Sequence, residues 1–145
     1  MRKNKASNLR RGRYSQVGRV YHITFITQDR APIFSDFHKA RHIISCLKFS
    51  TRQAITETVA FVVMPDHIHW LFELKFGSIS QSVQRVKAQF SRQSGSRIWA
   101  AGFYDHAMRA DDDVRATARY IVANPLRAGL VDNIGDYPHW DAIWL

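Results

Sequence analysis

The sequence is short of cysteine, of acidic residues and of long apolar runs. One cysteine among 145 residues excludes a disulfide scaffold, and its setting in Ile43-Ile44-Ser45-Cys46-Leu47 fits a buried thiol in a reducing compartment. No stretch approaches the roughly eighteen apolar residues of a membrane span. No apolar signal core follows the charges at the N-terminus, so a cytoplasmic protein is expected. Repeats and low-complexity tracts are absent too. With 46% hydrophobic residues the chain can build a core, and its length confines it to one domain.

Acids number 12 against 21 Lys and Arg, a net charge of +9. Its distribution is more informative than its size. Residues 1–19 carry seven basic side chains (Arg2, Lys3, Lys5, Arg10, Arg11, Arg13 and Arg19) and no acid. Residues 74–104 are again acid-free, with Lys75, Arg85, Lys87, Arg92 and Arg97. Each phosphate that such a cation neutralises releases a counterion, so two separated basic segments on a small domain point to nucleic acid as the partner. The chain divides into a basic N-terminal segment, 1–18, and a single domain, 19–145.

Hydrophobic patterning gives the elements. Val20 to Thr27 is rich in β-branched and aromatic residues and predicts a strand. Ser35 or Asp36 can cap a helix that places Phe37, Ala40, Ile43, Ile44 and Leu47 at the 3.6 period and ends near Arg52. Strands are predicted over 57–64 and 67–75, with only Pro65-Asp66 between them, which makes an antiparallel hairpin. Ser78 or Ser80 opens a second helix with Ile79, Val83, Val86 and Phe90 on one stripe. A fourth strand falls near Phe103-Tyr104. Asp111 to Asp113 favour a helix N-terminus, and that helix runs to about Asn124, where Pro125 sets a boundary. Residues 129–145 read as loop. The order predicts an α+β domain with a ferredoxin-like antiparallel sheet and helices mainly on one face.

Successive strand residues point to opposite faces, so His67 and His69 project together while Ile68 and Trp70 go the other way. Two imidazoles so placed suit one metal ion, and suit equally a histidine pair on a wet sheet face. On the last helix, Tyr120 and Asn124 lie about 40° apart around the axis and off the apolar stripe of Val114, Ala118, Ile121 and Val122. An Asn carbonyl is a hard ligand suited to Mg²⁺ or Mn²⁺, and a Tyr hydroxyl is a potential nucleophile. Taken singly, Tyr120 is as consistent with a half-buried helix-sheet contact, and Asn124 with a residue that ends a helix.

Together, Val63-Met-Pro-Asp-His-Ile-His-Trp-Leu71 and Tyr120-Ile-Val-Ala-Asn-Pro-Leu-Arg-Ala-Gly-Leu-Val131 resemble the Y1 transposases of the HUH superfamily. The nearest group is the REP-associated tyrosine transposases, linked to repetitive extragenic palindromes. The resemblance runs from Tyr21-His-Ile-Thr-Phe25 and Arg30-Ala-Pro-Ile-Phe34, through Phe103-Tyr-Asp105, to Asp136-Tyr-Pro-His-Trp-Asp-Ala-Ile-Trp144, most of the chain.

The resemblance implies that His67, His69 and Asn124 hold a divalent metal, Mg²⁺ or Mn²⁺, and that Tyr120 is the catalytic nucleophile. The reaction implied is cleavage and rejoining of single-stranded DNA at palindromic hairpins through a 5′-phosphotyrosine, by a protein acting as a monomer. Where relatives often carry Asn before the first histidine, this chain has Asp66. On the same reading Arg10, Arg11 and Arg13 guide the flanking strand, and Arg85, Lys87, Arg92 and Arg97 contact backbone phosphates. Two other readings fit the charge: a catalytically silent module that binds single-stranded nucleic acid on the same fold, and a metal-dependent nuclease that uses water.

Overall fold

Alternation of large apolar with polar side chains makes the first strand. In β1, Val20–Ile26, the residues Tyr21, Ile23 and Phe25 are buried on one face, and Val20, His22, Thr24 and Ile26 occupy the other. The structure is a computed structural model that describes residues 15–109 and 112–144.

Helix α1, Phe37–Arg52, starts where Asp36 accepts a hydrogen bond from the Lys39 amide, and it buries Ala40, Ile43, Ile44, Cys46 and Leu47. β2, Thr56–Met64, and β3, His67–Leu74, form the hairpin predicted across Pro65-Asp66. Helix α2, Ile79–Ser94, opens on a capping box between Ser78 and Gln81 and closes on Gly95, whose φ of 80° is the left-handed conformation glycine adopts without strain. The remaining elements are β4, Tyr104–Ala107; α3, Val114–Val122, capped by Asp113; α4, Asn124–Arg127; and β5, Trp140–Ala142.

The five strands pair antiparallel in the order β4-β1-β3-β2-β5. The first four have the ferredoxin-like order, and β5 extends the sheet beyond β2. Helices α1 and α2 cover one face, burying Tyr21, Ile23, Phe25, Ile68, Trp70 and Phe72 beneath them. On the other face α3 sets Ala118, Ile121 and Val122 against Ala60, Val62, Met64 and Leu71. This helix is too short to cover that face, which leaves His22, Thr24, His67 and His69 half-buried beside it.

Two expectations change. Residues 129–145 are not all loop: residues 140–142 pair with β2 at Ala60, Phe61 and Val62. A three-residue edge strand, Trp-Asp-Ala, is too short to show a period. Pro125 does not end the helical path either. It sits in the first turn of α4, where its missing N–H costs nothing, so the boundary is a seam between two helices. Among the described residues no helix is long and apolar enough to cross a membrane.

Candidate active site

The rings of His67 and His69 lie 5.0 Å apart between centroids on the half-open face. Each has its Nδ1 already engaged. His67 Nδ1 is 2.7 Å from Asp66 Oδ1, and the other oxygen of that carboxylate accepts from Arg30 Nε at 3.0 Å. His69 Nδ1 is 3.0 Å from His22 Nε2 and 3.1 Å from Thr24 Oγ1. With Nδ1 carrying the proton and donating, Nε2 of both rings is left with its lone pair and, among the described residues, without a chain partner.

Charge states follow from the surroundings. Burial, helped by His22, His67 and Arg127, pushes the pKa of His69 down to about 3. Burial and His106 push that of His22 down to about 4. Both imidazoles are therefore neutral near pH 7, the state a metal ligand requires. Burial tends to raise the pKa of Asp66, but His67 and Arg30 outweigh it and hold the carboxyl below its ordinary value.

Tyr120 lies on α3 away from the buried stripe, 58% exposed. The guanidinium carbon of Arg127, from α4, is 3.7 Å from the centroid of its ring. That same guanidinium is among the charges acting on His69, so Arg127 stands within electrostatic range of the histidine pair. Asn124 begins α4, half-buried; its backbone oxygen accepts from the Ala128 amide, while its carboxamide has no hydrogen-bond partner among the described residues. No cluster of three or more His, Cys, Asp or Glu among those residues is arranged to hold a metal. An ion on the histidine pair would therefore need a donor of another type, and an amide oxygen is one.

Sequence reasoning missed His22, Thr24, Arg30 and Arg127 at this site. The first two were visible as same-face residues of β1, and register adds Tyr104 opposite Thr24 and His106 opposite His22. Arg30 and Arg127 carried no local signal. Cys46 is fully buried and its thiol is pushed up to about 11 by burial, partly offset by Arg92, so it is no nucleophile.

The basic residues separate. Arg10, Arg11 and Arg13 lie outside the described residues. Arg85, Arg92 and Arg97 are exposed on or just after α2, across the sheet from the histidines. An open groove of about 890 Å³ runs there, lined by Gln84, Ser91, Arg92, Ser96, Arg97 and Trp99 among others. Lys87, expected as a phosphate contact, has its ammonium engaged by the chain itself. It is 8% exposed, and its ammonium donates to the carbonyls of Ala100 (3.1 Å) and Gly102 (2.7 Å). Its charge ties the 95–102 loop to α2.

Residues 15–124 match the family described as "Transposase IS200 like". A Haemophilus influenzae protein named as a REP-associated tyrosine transposase is 29% identical over 140 residues, covering 84% of this chain and 78% of that one. The REP-associated tyrosine transposase of Escherichia coli K12 is 33% identical over 107 residues, covering 72% and 63%. Among solved structures, a REP-associated tyrosine transposase bound to a REP hairpin superposes with a TM-score of 0.73 at 30% identity, over 88% of this chain and 79% of that one. A Deinococcus radiodurans protein described as a transposase shares the fold, with a TM-score of 0.53 at 22% identity over 79% and 96%.

Proposed function

Because the chain belongs to the IS200-like transposase family, we propose that it cuts and rejoins single-stranded DNA at palindromic hairpins through a covalent phosphotyrosine at Tyr120. The observation that supports this reading is an exposed phenol stacked against Arg127, whose charge acts on His69, together with two imidazoles on one sheet face that engage the chain through Nδ1 and leave Nε2 without a partner among the described residues. Structural roles for these residues would explain their burial or their hydrogen bonds, but not why both Nε2 atoms are left without a partner among the described residues.

His67 and His69, through Nε2, with the carboxamide oxygen of Asn124, would hold Mg²⁺ or Mn²⁺, which when bound polarises the scissile phosphate and neutralises charge on its oxygens. Tyr120 Oη attacks phosphorus in line. The Oη–P bond forms, the bond from phosphorus to the 3′-oxygen breaks, the phenolic proton passes to water, and the departing 3′-oxygen takes a proton from water. The ester bond is conserved in the phosphotyrosine, so a 3′-hydroxyl reverses the step without a nucleotide cofactor. Arg85, Arg92 and Arg97 would track the DNA backbone across the second face, and Arg10, Arg11 and Arg13 the flanking strand.

The test is incubation with hairpin-bearing single-stranded DNA and Mn²⁺, followed by denaturing electrophoresis. An adduct that survives denaturation and is lost in Tyr120→Phe is expected. Cleavage that persists in Tyr120→Phe would instead indicate a water-using nuclease, and hairpin binding without cleavage a silent binding module.

A further inference from the structure

Arg127 has no assignment in the reaction as described, yet it is the side chain in contact with the nucleophile. Seven residues beyond Tyr120 brings a position back to nearly the same side of a helix, about 10 Å along it. Helical side chains lean toward the N-terminus, so a side chain as long as arginine can span back across the seam at Pro125 onto the tyrosine ring. The guanidinium carbon sits 3.7 Å from that ring's centroid.

A guanidinium stacked on a ring contacts it with its flat face, while its N–H donors lie in the plane and point outward. Those donors are uncommitted: among the described residues Arg127 makes no hydrogen bond or ion pair. Arg30, by contrast, is committed to Asp66 at 3.0 Å. Nor does any described carboxylate neutralise Arg127. The partner that such a fork takes is an anion with acceptor oxygens, here one lying against the phenol. A phosphodiester attacked by Tyr120 has that chemistry, with two non-bridging oxygens that match an arginine fork.

We propose that Arg127 is the phosphate clamp of this site: stacked on Tyr120, it holds the ring in its attacking orientation and donates to a non-bridging oxygen of the scissile phosphate, then to the same oxygen in the phosphotyrosine. The inference rests on the phosphotyrosine reading above. Arg127 exchanges no proton in either direction, since a guanidinium stays charged throughout. Charge on the non-bridging oxygens peaks in the transition state that attack and its reversal share, so the contact is strongest there and accelerates cleavage and rejoining together.

The experiment follows adduct formation on a synthetic hairpin oligonucleotide with single-stranded flanks, in Mn²⁺, for the full chain and for Arg127→Ala and Arg127→Lys. Arg127→Ala should lower kcat roughly 100-fold, with KM changed less than about threefold and the final adduct fraction unchanged. Arg127→Lys, which keeps the charge but loses the flat stack and the fork, should recover only part of the rate. Thermal unfolding of both variants should match the parent, since the side chain is exposed. An unchanged kcat overturns the clamp, as does a loss confined to KM, which would make Arg127 an ordinary DNA contact, or a fall in rate matched by a fall in Tm. If the parent forms no adduct while binding the hairpin, the phosphotyrosine reading fails and the clamp fails with it. An adduct in the parent that Arg127→Ala forms equally fast removes the clamp alone.

Discussion

Asp66 bridges Arg30 and His67, with one carboxylate oxygen 3.0 Å from the arginine Nε and the other 2.7 Å from the imidazole Nδ1. A carboxylate behind a ligating histidine fixes its tautomer and raises the basicity of Nε2. Asp66→Ala should therefore weaken Mn²⁺ binding by about 10- to 100-fold, read by electron paramagnetic resonance titration of free Mn²⁺. Asp66→Asn retains an acceptor oxygen and should lose much less. Equal affinities in all three proteins would show that His67 does not ligate through Nε2, or does not need orienting.

His22 and His69 face each other at 3.0 Å on neighbouring strands, and both bind protons far less readily than in the unfolded chain. Their folded pKa values, about 4 and about 3, lie below the ordinary imidazole value of 6.5. Above pH 6.5 neither state carries these protons and the stability is fully present. As pH falls from there toward 4 the unfolded chain takes up protons that the folded one refuses, and stability declines. With metal removed by EDTA, the Tm should drop steadily between pH 7 and pH 5, and His22→Phe should flatten that slope. Asp66, held below its ordinary value, acts in a separate window under about pH 4, where the loss of its charge destabilises the fold further. A Tm independent of pH from 7 to 5 would contradict the burial of the two imidazoles.

What was legible in the sequence followed from periodicity and capping. Tyr21, Ile23 and Phe25 alternate over enough residues to fix both strand and face, and Asp36, Ser78 and Asp113 cap where side-chain chemistry predicted. The common face of His67 and His69 likewise needed only the strand period. Arg30 and Arg127 were invisible because their partners arise from tertiary contact: Arg30 lies 36 residues before Asp66, and Arg127 reaches Tyr120 across a proline seam. The carbonyl contacts of Lys87 were not legible, because a cation in an acid-free segment gives no sign that backbone oxygens will engage it. The strand at 140–142 was missed because its pairing to β2, not its own pattern, makes it a strand.

The segment leading into that strand is tied down at the hairpin end of β2. Tyr137 Oη donates to the Val63 carbonyl at 2.5 Å, and the Val63 amide donates to the carbonyl of His139 at 2.9 Å. Burial pushes the phenol of Tyr137 up to about 12, so it remains a donor over the working pH range. Tyr137→Phe should cost about 1 kcal/mol in urea denaturation and leave adduct formation unchanged within a factor of about two, because Tyr137 points at β2 and not at Tyr120. A larger loss of activity than of stability would place the C-terminal segment in the reaction.

Lys87 and its basic neighbours should separate cleanly by experiment. Removing the Lys87 ammonium leaves the carbonyls of Ala100 and Gly102 without their donor beneath the loop. Lys87→Met should then cost about 1–3 kcal/mol of stability, with little change in the salt dependence of DNA binding. Arg92 and Arg97 are exposed along the groove; their alanine variants should unfold like the parent but bind hairpin DNA more weakly. Each phosphate contact removed should lower the slope of log affinity against log salt by about 0.7 to 0.9. The measurements are urea denaturation and fluorescence anisotropy between 50 and 200 mM salt, a range over which counterion release dominates. If Lys87→Met unfolds like the parent while its salt slope falls, the lysine contacts phosphate after all. If Arg92→Ala and Arg97→Ala leave the slope unchanged, the DNA does not cross this face, and the basic groove beside α2 has another partner.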